Sequence, residues 1–147
     1  ELDKAEEYLL KSEKLLGSVG NKDELINTYI ALAELVLKRD KEIGQAIAYI
    51  DQGWNVAQEV DSKSGKAACF SAYGSVYNAA GDFSKAIVNF DKAIQLVNEL
   101  DNKKTLADIY LDYSAVFEKI GEEKKAKLYR EQAFKIYSDL KIVRKQP

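Results

Sequence analysis

The stretch FSAYGSVYNAAGDFSKAIVNFDKA, residues 70–93, decides the fold. Phe70, Tyr73, Gly74 and Tyr77 fall at i, i+3, i+4 and i+7, one stripe of an α-helix. Gly81-Asp82 interrupts the stripe with a turn former and a side chain able to cap a new helix. A second stripe follows at Phe83, Ala86, Ile87, Phe90, Ala93, Ile94 and Val97. Two amphipathic helices joined by a short turn form an αα-hairpin. Such a hairpin cannot cover its own apolar faces and must stack on neighbours.

The neighbours are copies of it. Lys85-Ala86-Ile87 is matched by Gln45-Ala46-Ile47 and Lys125-Ala126-Lys127, with the alanines 40 residues apart each time. Lys4-Ala5-Glu6 is an earlier copy, 41 residues before Ala46. The linkers recur as well, at Val19-Gly20-Asn21-Lys22, Val60-Asp61-Ser62-Lys63 and Leu100-Asp101-Asn102-Lys103. Each reads as an apolar helix end, a turn former, a capping side chain and a lysine. Proline is absent until Pro147, so no interior position breaks a helix.

Phe70-x2-Tyr73-Gly74-x2-Tyr77, Gly81, Ala86-x3-Phe90 and Ala93 resemble the tetratricopeptide repeat pattern. Tyr110, Tyr113, Ser114, Phe117, Gly121, Ala126 and Ala133 form a similar copy. Ile30, Ala33, Leu37, Ala46, Ile50 and Gly53 form a weaker one, with Glu34 where a small residue is expected. The 40-residue period and the missing closing proline depart from the minimal 34-residue repeat. In length and linker style the copies are similar to those of spindle-orientation adaptors, kinesin light chains and bacterial peptide-sensing regulators.

The expected fold is all-α, a right-handed α-solenoid superhelix of stacked helix–turn–helix repeats. About seven helices are predicted, near 2–17, 23–38, 42–60, 64–80, 82–100, 103–120 and 122–143. Residues 1–147 read as one domain: the second helix of a truncated repeat (1–20), repeats at 21–61 and 62–101, a C-terminal capping repeat (102–141) and a tail (142–147). The first helix has no partner before it, so its apolar residues are expected to be exposed or to find another molecule. Lys127 and Arg130, in place of Ile87 and Phe90, suit a terminal cap.

Little in the chain suggests chemistry. The sequence has no histidine, which removes the commonest general base and zinc ligand. Cys69, the single cysteine, reads as a packed side chain rather than a thiol nucleophile. No phosphate loop, EF-hand or dinucleotide fingerprint occurs. The chain therefore reads as not an enzyme, with no cofactor and no metal. Its 22 basic and 24 acidic residues leave a formal charge of -2, which gives no reason to expect nucleic acid. No apolar run is long enough for a membrane span. A cytoplasmic location is the default for a one-cysteine chain with no signal peptide.

What the resemblance implies is a scaffold that binds a protein or peptide in the concave groove lined by the first helix of each repeat. Carried over position by position, the groove would present Thr28, Leu32, Leu35, Lys38 and Arg39, then Ser71, Ser75 and Asn78, then Asp108, Leu111, Asp112 and Glu118. That set is basic at one end, small and polar in the middle, and acidic at the other. The positions at which chaperone co-factors of this fold grip a C-terminal carboxylate are Ala31, Ser71, Leu111, Leu35, Ser75 and Ala115 here, and none can do so. The alternative function is a self-association module, with a homodimer formed through the exposed N-terminal helix.

Overall fold

A computed structural model describes residues 2–141, and all of their side chains except those of 17–19. Among the described residues there are seven α-helices and no strand. They are α1 (Leu2–Val19), α2 (Lys22–Asp40), α3 (Ile43–Glu59), α4 (Lys63–Ala80), α5 (Phe83–Glu99), α6 (Lys103–Lys119) and α7 (Glu123–Asp139). The expected tail at 142–147, and the part of the last predicted helix beyond 141, lie outside the described residues.

The linker chemistry acts as its residue types require. Asn21, Ser62 and Asn102 each accept a hydrogen bond from the backbone N–H three residues on, at 3.2, 3.0 and 3.1 Å. Asp82 does the same for Lys85, at 3.2 Å. The turn formers Gly20, Asp61 and Asp101 take left-handed backbone conformations, with φ of 83°, 51° and 52°. A lysine, Lys41, holds the left-handed position that Gly81 and Gly121 occupy in the later hairpins.

The helices pack most closely as the pairs α2–α3, α4–α5 and α6–α7. Successive pairs are joined by α3 against α4 and α5 against α6. In addition α2 touches α4 and α4 touches α6, while no contact joins α3 to α5 or α5 to α7 among the described residues. A row whose first helices are closer together than its second helices must curve, with α2, α4 and α6 on the inner side.

The copies are not of equal length. From N-cap to N-cap, Asn21 to Glu42 is one position longer than Ser62 to Asp82 or Asn102 to Glu122. The extra residue lies in α2, which has 19 residues where α4 has 18. Counted from the caps, Tyr29, Leu32, Ala33 and Val36 correspond to Phe70, Tyr73, Gly74 and Tyr77. Burial agrees: Ala33 is 1% exposed and Glu34 is exposed. The small residue expected in this copy is therefore present as Ala33, and the apparent mismatch at Glu34 was an error of register.

Two clusters form most of the core. One gathers Ile26, Ala33, Ala46, Ile50 and Cys69, the other Phe90, Ala93, Val97, Tyr113, Val116 and Phe117. Within a pair, the limiting contact is Gly74 against Phe90. A Cβ added at Gly74 would stand 2.8 Å from three atoms of the phenyl ring, which is fully buried and cannot retreat. Between pairs, aromatic rings fill the wedge: Trp54 meets Phe70 at 4.8 Å, and Phe90 meets the edge of Tyr113 at 5.7 Å. The Tyr113 hydroxyl donates to Asp91 at 2.5 Å, and Tyr73 donates to Asp51 one repeat earlier. Burial, and then the bond to its carboxylate, raises the pKa of each phenol.

Gly74→Ala is expected to destabilise the chain by about 1–3 kcal/mol, the usual cost of forcing atoms into a packed core. Denaturant titration measures it. An unchanged midpoint would show that the Gly74–Phe90 approach does not limit the packing.

Candidate functional site

The inner face of the curve holds a cavity of about 210 Å³ between three helices. Helix α2 contributes Asn27, Ile30 and Glu34. Helix α4 contributes Ala68, Ser71, Ala72 and Ser75. Helix α6 contributes Thr105, Asp108, Ile109 and Asp112. Its volume is below the ~300–1,000 Å³ typical of sites for drug-sized ligands. The floor is made of small residues because α4 lies between its two neighbours and presents Ala68, Ser71, Ala72 and Ser75 along one stripe.

Of the residues expected from sequence, Ser71, Ser75, Asp108 and Asp112 line this cavity. The α2 set needs correction. Thr28 and Leu32 are buried, at 8% and 1% exposure, and the Thr28 hydroxyl donates to the Glu24 carbonyl of its own helix at 2.9 Å. The extra residue in α2 rotates the helix by one position relative to a strict 40-residue count, so Asn27, Ile30 and Glu34 face the cavity instead. The caps carry this signal, since Asn21 precedes Ser62 by 41 residues, as Ala5 precedes Ala46. Ile109 and Thr105 were also missed, because the cavity lies toward the N-terminal half of α6.

Arg39 is not available to a groove ligand. Its guanidinium pairs with Glu6, with Asp3 at 3.2 Å and with its neighbour Asp40 at 2.7 Å. Those bonds, the one to Glu6 foremost, push its pKa further upward. They join α2 to α1, as does the Tyr29 hydroxyl, which donates to Glu13 at 2.9 Å. Burial first, and then that bond, raise the Tyr29 pKa to about 12. Lys38 is exposed, Leu35 is half-buried, and neither lines the cavity. Leu111 packs against the cluster of Ala107, Ala133 and Tyr137, and Glu118 pairs with Arg130 on α7. Asn78 lies one helical turn beyond the cavity, and its buried Oδ1 has no hydrogen-bond partner among the described residues.

The electrostatics therefore differ from the basic-to-acidic gradient that the sequence suggested. Carboxylates stand on both walls, Glu34 on one and Asp108 and Asp112 on the other, and the lining contains no lysine or arginine. Asp108 accepts from Lys104 at 3.1 Å on its own helix and from the Tyr137 hydroxyl. Glu34 has no hydrogen-bond or ion-pair partner among the described residues. Solvent reaches part of its side chain, but protein atoms crowd the carboxylate, and this desolvation raises its pKa.

Nothing in this arrangement has the parts of a catalytic or metal centre. Among the described residues no group of three or more Cys, Asp or Glu is placed to hold a metal ion. Cys69 is fully buried, and that burial pushes its thiol up to about 12, far from a reactive thiolate. No helix among the described residues is long and apolar enough to cross a membrane.

A curved row of paired helices with a small-residue inner face is a non-catalytic repeat scaffold for protein–protein contacts. The tetratricopeptide repeat family matches residues 66–139, and the chain belongs to it. The crystal structure of BtubC (BKLC) from P. vanneervenii is similar, with a TM-score of 0.73 at 19% sequence identity. That likeness covers 99% of this chain and 60% of BtubC, and at such identity it shows the fold alone. None of the curated proteins matches the chain.

The charge on Glu34 makes a test of its surroundings. Its folded-state pKa is raised, so its ionised form opposes folding at pH values above that pKa. The penalty disappears as pH falls below the ordinary carboxylate value. Glu34→Gln is thus expected to raise the melting temperature slightly at pH 7, with the difference vanishing in acid. A variant less stable than the parent at pH 7 would mean that Glu34 has a stabilising partner.

Proposed function

We propose that the chain holds a segment of another protein in the groove between α2, α4 and α6, as the interaction or regulatory part of a larger protein. The observation that carries this reading is the cavity itself. It lies on the inside of the curve, its floor is of small residues, and its lining side chains include few that are committed to the core. Small side chains on α4 let a peptide backbone approach closely, and Ser71, Ser75 and Asn27 offer donors and acceptors to it. The flanking Ile30 and Ile109 offer apolar contact. Carboxylate-tail recognition is disfavoured further by the corrected register. Ile30 and Glu34 replace Ala31 and Leu35 at the positions concerned, and Glu34 repels an anionic terminus.

Self-association is the second reading. It is favoured by apolar exposure on α1, where Tyr8 is 71% exposed and Leu15 is 62% exposed. Under that reading the chain sediments as a dimer, and Tyr8→Ser returns it to a monomer.

A random linear peptide library displayed on phage, selected against the immobilised chain, tests the groove. Peptides recovered are expected to lose about tenfold or more in affinity for Ser75→Arg, which fills the cavity floor, and to be unaffected by Val88→Arg on the outward face of α5. The opposite pattern would overturn the groove assignment.

A further inference from the structure

We infer that the segment held in this groove carries a basic side chain, a lysine or arginine, whose cation lies against Glu34 and the facing Asp112. This rests on the groove being the binding face, and it adds the chemistry of the occupant.

The argument begins with what any occupant must do. A segment laid into the cavity excludes water from its walls, and Glu34 is already crowded by protein without a counter-charge among the described residues. Covering it with an apolar or neutral side chain would strip its remaining hydration and give nothing in return, the costly case for a carboxylate. An acidic side chain would add repulsion from Glu34 and from the α6 wall. A lysine or arginine avoids both costs. Its ammonium or guanidinium supplies the charge and the donors, and its methylene stem lies along Ile30, Ala68 and Ala72.

The distribution of charge on the rest of the chain supports the same occupant. The nearest basic groups are engaged elsewhere: Arg39 faces the acidic residues of α1, and Lys104 pairs with Asp108. No cation of the chain itself lines the cavity, so the negative potential of the inner face is open to a partner. A formal charge of only -2 over the whole chain means that this potential is local, which favours one placed cation over a diffuse polycation.

The test uses peptides recovered from the same random library and made synthetically. Groove binders, defined by loss of binding to Ser75→Arg, are expected to share a lysine or arginine at one fixed position. Replacing that residue by norleucine is expected to weaken binding about tenfold or more, as is Glu34→Gln in the chain. A peptide with glutamate at the fixed position is expected to bind Glu34→Lys better than it binds the parent. Groove binders without a shared basic residue, or binders that tighten on Glu34→Gln, would overturn the cationic occupant while leaving the groove in place. Binders insensitive to Ser75→Arg would overturn the groove reading, and the cationic occupant with it.

Discussion

The closeness of helix α4 to helix α5 is set by a phenyl ring lying where a side chain would otherwise be. Gly74 leaves room for Phe90, and Phe90 in turn meets the edge of Tyr113 on the next hairpin. One contact therefore links packing within a pair to packing between pairs. A hairpin that cannot bury its faces alone depends on such a chain of contacts, and its stability is shared with its neighbours. The tyrosine–carboxylate bonds Tyr73–Asp51 and Tyr113–Asp91 repeat at the same 40-residue interval and fix how each hairpin sits on the last.

That geometry also makes the groove. Because first helices touch first helices and second helices do not meet, the row bends and α4 presents its small residues to the inside. The groove is thus a consequence of packing rather than an added feature. Its character comes from the side chains that packing leaves over. On α4 these are serines and alanines, and on α2 and α6 they are carboxylates. Arg39 shows how local the outcome is. It lies one turn and a residue beyond Glu34 in the sequence, yet it faces α1 and its acidic residues rather than the cavity.

Much of this was legible in the sequence, and for definite reasons. The helices could be placed because Asn21, Ser62, Asp82 and Asn102 cap them, and because Gly20, Gly81 and Gly121 end them in a conformation other residues resist. The floor of the groove and the α6 wall followed from α4 and α6, where copies are of equal length. The α2 wall did not. One inserted residue turns a helix by about 100°, so Thr28 and Leu32 went inward and Asn27, Ile30 and Glu34 faced the cavity. Cap spacing carried the correction, whereas the alanine spacing from Ala46 onward concealed it. The fate of Arg39 was not legible at all, since it depends on which side chains α1 brings near.

The central claim is that the inner face formed by α2, α4 and α6 is where a partner lies. Amide hydrogen exchange of the chain, free and saturated with a peptide selected from a random library, tests it most directly. The account expects exchange to slow along α2, α4 and α6, most strongly around residues 27–34, 68–75 and 105–112, with α3, α5 and α7 little changed. Slowing confined to α1, or to the outward helices α3, α5 and α7, would contradict it.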